Sequence, residues 1–133
     1  MTKVIEFRGK SKKTGEWLYG DLVRNVDGAF AVVPPFKMTC NNYCEQYEVE
    51  EDTIGQNTGM YDSRLKKIYE GDVVTWFCNG FMETGKIEYK REETQYRIVN
   101  RLSTKDNREL TQTIQNRTNL LVRGNIYDNP SLM

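Results

Sequence analysis

The chain has 133 residues, with nineteen Lys or Arg against nineteen Asp or Glu and no histidine. Zero net charge removes any bulk electrostatic pull toward nucleic acid or a membrane surface, and the lack of His rules out Ser-His-Asp and Cys-His catalysis and every His-ligated zinc site. A chain of this length buries roughly two-thirds of its unfolded surface and needs no disulfide or metal to fold, and its aromatic and β-branched runs mark it as globular rather than disordered.

In chain order, Val4, Ile5 and Phe7 mark a first short strand. Gly15, in Lys13-Thr14-Gly15-Glu16, supplies a turn, and Trp17 to Val23 returns as the next strand. Asp27-Gly28 is a hairpin signal. Ala29 to Val33 reads as a buried strand, stopped by Pro34-Pro35, which cannot donate to a ladder. Phe36 to Asn42 is irregular, and Tyr43 to Glu50 reads as a strand rather than a helical turn. Thr53 to Gly59 is a loop of glycine and small polar residues, and Asp62 to Lys67 is a connecting turn.

The strongest local signal is Asp72-Val73-Val74-Thr75-Trp76-Phe77-Cys78, a run of strand formers followed by Asn79-Gly80. Asn-Gly between two such runs predicts a tight hairpin, because both turn residues tolerate positive φ. Phe81 to Tyr89 is the partner strand, with Gly85 at a bulge or bend. Tyr96, Ile98 and Asn100 alternate along a third strand. Asp106 and Glu109 are spaced as a capping box for a helix over 106–116, with Leu110 and Ile114 on one face. Leu120-Leu121-Val122 is a buried strand, and Gly124-Asn125 and Asn129-Pro130 turn the C-terminal segment, which Ile126, Tyr127 and Leu132 pin to the body. The expected fold is mainly β with one short helix: a small barrel or sandwich, in one domain or two lobes of about 1–60 and 68–133, the second SH3-like.

Three cysteines, Cys40, Cys44 and Cys78, are an odd count expected of free thiols in a reducing cytoplasm. The opening Met1-Thr2-Lys3-Val4-Ile5-Glu6 has no apolar core of a signal peptide, and no stretch is long and apolar enough to span a bilayer. Gly55-Gln56-Asn57-Thr58-Gly59 lacks the lysine of a P-loop and the third glycine of a dinucleotide fingerprint. No metal or cofactor is expected.

Three functional classes stay open. The basic start (Arg8, Lys10, Lys12, Lys13) and the acidic middle (Glu45, Glu48, Glu50, Glu51, Asp52, Asp62) suit a molecule whose copies attract one another. Tyr89, Lys90, Arg91, Tyr96, Arg97 and Arg101 interleave aromatics with bases as a single-stranded nucleic-acid surface would, although Glu92 and Glu93 oppose that use. Asp62, Glu70 and Asp72 would form a carboxylate or divalent-metal site if their loops met, but acidic residues at strand starts and turns usually serve the turn.

Five elements in order carry a family resemblance: Lys12-Lys13-Thr14-Gly15-Glu16-Trp17-Leu18-Tyr19-Gly20; Thr53-Ile54-Gly55-Gln56-Asn57-Thr58-Gly59-Met60-Tyr61-Asp62; Lys67-Ile68-Tyr69-Glu70-Gly71-Asp72-Val73-Val74; Gly85-Lys86-Ile87-Glu88-Tyr89; and Gly124-Asn125-Ile126-Tyr127-Asp128-Asn129-Pro130-Ser131-Leu132. Jointly they resemble the YopX family over nearly the whole chain. Arg123 stands where that family usually has an apolar residue, and Asn57 where an aromatic is common. The resemblance implies a phage or prophage accessory protein, its partner another copy or a phage or host protein, and it carries over no catalytic residue. Read physically, Gly55, Gly59, Gly71 and Gly124 answer backbone needs. Gln56, Thr58, Asp62, Glu70, Asp72 and Asn125 are expected to bond loop amides, or else to line a binding site.

Overall fold

The computed structural model describes residues 5–35, 46–102, 107–116 and 118–133. Strands account for 52% of the chain and helices for 12%, so the class is mainly β with minor α. Two compact units divide it, Met1–Asn57 and Thr58–Met133.

In the first unit, β1 (Phe7–Lys10), β2 (Trp17–Arg24) and β3 (Phe30–Val33) run antiparallel, and β1 also pairs with the start of β4 (Gly55–Tyr61). The two expected turns form where glycine permits positive φ: Gly15 at 75° and Gly28 at 92°. Side chains finish both turns. Ser11 Oγ accepts the Lys13 and Thr14 amides at 3.2 Å, and Asp27 Oδ1 accepts the Ala29 amide at 2.9 Å. Ala31, Val32 and Val33 are fully buried.

The segment expected as a strand over 43–50 differs. Gln46 and Tyr47 are helical, and only Glu48 and Val49 make single bridges, to Ala31 and Ser11; residues 43–45 lie outside the described residues, as do Val4, the irregular 36–42 stretch, Cys40 and Cys44. Val49 sits over Gly9, where any Cβ would stand 2.9 Å from the Val49 Cβ. One apolar knob seated over a bare backbone does here what a full strand would otherwise do.

A second correction falls on Gly55 to Gly59. Expected as loop, it is strand β4. Its composition is poor in strand formers, so its neighbours impose the extended state: Gln56 and Gly55 register against Phe7 and Arg8, and the Thr58 hydroxyl donates to Ile68 O in β5 (Lys67–Tyr69) at 2.8 Å.

The second unit is built on β6 (Asp72–Cys78), β7 (Phe81–Lys90), β8 (Gln95–Asn100), β9 (Asn107–Glu109) and β10 (Leu121–Asn125), in the order β10-β6-β7-β8-β9. Among the described residues this sheet is open, with β9 and β10 at opposite edges, so the barrel alternative does not hold. Asn79 (φ 52°) and Gly80 (φ 84°) close the β6–β7 hairpin as expected. The core is Ile68, Val74, Trp76, Ile87, Ile98, Leu110 and Leu120, each at most 2% exposed.

Gly85 is not a bulge, since its register to Val74 and Asn100 is unbroken. It is a glycine because a Cβ there would stand 2.6 Å from Val99 O and 2.8 Å from Ile98 Cγ2, beside the Trp76 ring. The bulge lies instead in β10, between Val122 and Gly124. Its extra residue is Arg123, exposed, whose Nε donates to Thr75 Oγ1 at 3.0 Å. A bulged position leaves the core-facing alternation, so a charged side chain is tolerated there.

The helix α1 is shorter than expected, Leu110–Gln115. Asn107–Glu109 is held extended by pairing with β8, and Glu109 precedes the helix with no side-chain cap, so the capping box does not form around it; Asp106 lies outside the described residues. Six residues form a marginal helix on their own. Burial of Leu110 and packing of Ile114 against the core hold it in place.

Candidate functional site

The polar signature residues are placed mainly by backbone amides. Asp62 is 6% exposed. Its Oδ1 accepts the Arg64 and Lys66 amides at 2.8 Å each, and its Oδ2 accepts the Val122 amide at 3.0 Å. One carboxylate thus closes the turn into β5 and ties it to β10. Three charge-assisted bonds offset the cost of burying its charge.

Asp72 is 2% exposed, and its Oδ2 accepts the Tyr69 amide at 2.8 Å across a turn in which Gly71 takes φ 93°. Asn125 Oδ1 accepts the Tyr127 and Asp128 amides at 3.0 and 2.8 Å. Gly124 lies against the side chain of Asn129, where a Cβ would overlap Oδ1, and that oxygen accepts the Asn125 amide at 3.3 Å. Thr58 Oγ1 also accepts the Met60 amide at 3.2 Å. Gln56 is half-buried in β4 opposite Phe7. Glu70 is half-buried in the turn between β5 and β6. Burial, and then the negative charge of Glu70 and the Tyr89 phenol, push the Tyr96 phenol above its ordinary value.

Of the three carboxylates considered together, Asp62 and Asp72 serve different turns, each through its own amides. Among the described residues no group of three Cys, Asp or Glu is arranged to hold a metal ion.

The residues of the basic-aromatic stretch do not share one face. Tyr89 and Tyr96 are cross-strand partners with ring centroids 5.2 Å apart, edge to face. Strand alternation sends Lys90 and Arg97 to the opposite face. Arg97 is paired with Glu93 at 3.1 Å and Lys90 with Glu88 at 3.4 Å. Arg91 lies in the β7–β8 turn and Arg101 follows β8, both exposed. In the first unit, the basic start and acidic middle meet internally where Lys12 pairs with Glu48 at 3.0 Å, which holds the lysine pKa above its ordinary value. Cys78, half-buried, accepts a bond from Arg108 Nη2 at 3.2 Å.

The sequence reading did not single out the residues at the β6–β7 hairpin end. Phe81 is 75% exposed, Met82 53% and, beyond β8, Leu102 86%. With Glu83, Thr84, Asn100 and Arg101 they line a groove of about 260 Å³. Buried Asn100 organises it: Nδ2 donates to Glu83 Oε2 at 3.0 Å and Oδ1 accepts the Leu102 amide at 2.8 Å. Phe77, opposite Met82, is also exposed. Two consecutive large apolar residues directly after Asn79-Gly80 were the available signal, since alternation cannot bury both on one face.

Among the described residues no helix is long and apolar enough to cross a membrane. A protein-family model described as YopX protein matches residues 6–133. No curated protein matches the chain.

Proposed function

The chain belongs to the YopX protein family, and from that premise we propose that it is a non-enzymatic interaction module, a phage or prophage accessory protein of the bacterial cytoplasm whose copies associate with one another. The observation that carries the reading is the Asp62 carboxylate. General acid–base or metal chemistry needs a carboxylate with oxygen directed at substrate or ion. Here Asp62, at the end of the Thr53–Asp62 element, holds three backbone amides instead, and Asp72 and Asn125 are occupied in the same way. Large apolar side chains, by contrast, stand exposed at one end of the second unit, as binding surfaces do.

Light scattering on the full chain across a range of concentrations, at near-physiological salt, tests the association. A stable oligomer is expected, and a monomer throughout overturns it. Calorimetric titration with Mg²⁺ or Mn²⁺ tests the absence of metal-dependent chemistry. A flat titration is expected, and saturable binding that disappears in Asp62→Asn would establish the carboxylate reading in its place. A salt-sensitive band shift with single-stranded DNA or RNA would move the assignment to the β7–β8 strand pair.

A further inference from the structure

We infer that Asn79 is a site of spontaneous covalent modification, its side-chain amide converting through a cyclic imide to aspartate and isoaspartate when the β6–β7 turn opens. Asn79-Gly80 is the one Asn-Gly pair in the chain. In the step, the Gly80 amide nitrogen attacks Asn79 Cγ. A C–N bond forms, the Cγ–Nδ2 bond breaks, and ammonia leaves with the proton from the Gly80 nitrogen. Water then opens either carbonyl of the imide. One opening restores the ordinary backbone as aspartate, and the other routes the backbone through the side chain as isoaspartate. Nothing is oxidised or reduced, and water is the one co-reactant.

The structure leaves both reacting groups unengaged. Asn79 and Gly80 are exposed, and a Cβ on Gly80 would meet nothing within 4 Å, so no side chain shields the attacking nitrogen. Among the described residues the Asn79 side chain has no hydrogen-bond partner. Other asparagines differ. Asn25, Asn100, Asn125 and Asn129 each hold a backbone amide on Oδ1. The residues that follow them are Val26, Arg101 and Ile126, whose side chains crowd the nitrogen, and Pro130, which has no N–H to attack with. Asp27-Gly28 could form the same imide, but its Oδ1 is occupied by the Ala29 amide.

The closed turn holds the reaction back. Asn79 at φ 52° and Gly80 at φ 84° have the values of a type I′ turn. That conformation sets the Gly80 nitrogen on the far side of the Asn79 Cα–C bond from Cβ, whereas a five-membered ring needs the two on the same side. Ring closure therefore waits for the turn to open. Little burial resists opening here. Phe77, Phe81 and Met82 are exposed, and among the described residues Phe81 to Glu83 pair with β6 and not with β8. The product sets a carboxylate in the turn between Phe77 and Phe81 and takes the net charge from zero to negative. Isoaspartate also lengthens the backbone, which a two-residue turn absorbs only by loosening the Cys78–Phe81 pair.

The test is incubation of the full chain in mildly alkaline buffer, folded and in urea, followed by peptide mass mapping and labelling with an isoaspartyl methyltransferase. Asn79 is expected to convert faster than any other asparagine of the folded chain. It is expected to convert about tenfold more slowly there than in urea, the ratio for a turn that is open about a tenth of the time. Asn79→Gly keeps a residue that accepts the same φ, so it is expected to retain the parent circular dichroism and lose the methyltransferase signal. If that variant does not fold, mass mapping of the parent still locates the modified residue and decides the matter. Conversion in urea with none in the folded chain overturns the site. Conversion at another asparagine as fast as at Asn79 overturns its assignment. Equal rates in the folded chain and in urea overturn the gating by the turn.

Discussion

Two regions of the second unit treat side chains in opposite ways. At the Asp62 turn, a charged group is buried and surrounded by amides. At the Asn79-Gly80 hairpin end, phenylalanine, methionine and leucine face solvent. Folding alone would favour the reverse of the second arrangement, since exposing large apolar groups forgoes about 25 cal/mol for each Å² left wet. The difference separates two jobs. Polar residues of the family pattern hold the backbone, while large apolar residues outside that pattern stand exposed.

The comparison can be broken most sharply at its buried end. Asp62→Ala leaves three amides without their acceptor and is expected to cost about 3–5 kcal/mol of stability, read from urea unfolding; a loss below about 1 kcal/mol would mean the clamp is incidental. Asn125→Ala removes the acceptor of two amides in a partly wet turn, where water replaces some of what is lost. A loss of about 1.5 kcal/mol is expected in the same measurement. At the other end, Phe81→Asp is expected to change stability by less than about 0.5 kcal/mol while altering association. If it unfolds the chain instead, Phe81 is a folding residue and the contrast between the two ends disappears.

The legible parts of the fold were those decided locally. The run from Asp72 to Cys78 and the Asn79-Gly80 turn carry their own conformational preferences, and strand and turn stand where those preferences put them. The Gly55-Gln56-Asn57-Thr58-Gly59 segment has no such preference, and its strand state comes from pairing with β1, remote in sequence, and from the bond to β5. Glu109 read as a helix residue because its spacing from Asp106 suits a cap, yet pairing of Arg108 and Glu109 with β8 overrides that local signal. The site shows the same division. That Asp62 and Asn125 would bond loop amides follows from the chemistry of short polar side chains. That Asp62 would reach Val122, 60 positions on, does not. Nor could spacing show that β8 ends opposite Gly85 and leaves Phe81 to Glu83 without a β8 partner.

The bond from Val122 to Asp62 has a bearing on biosynthesis. A ribosome delivers the N-terminal residues first, and β10 is also the neighbour of β6. The Asp62 carboxylate and the outer edge of β6 therefore await a strand made much later. Contacts of long sequence separation form slowly because the intervening chain must be closed first. In the earlier unit β1, β2 and β3 join through short turns and can pair while translation continues. The later one must remain incomplete until Leu121 and Val122 emerge, and during that interval the outer edge of β6 has no partner strand.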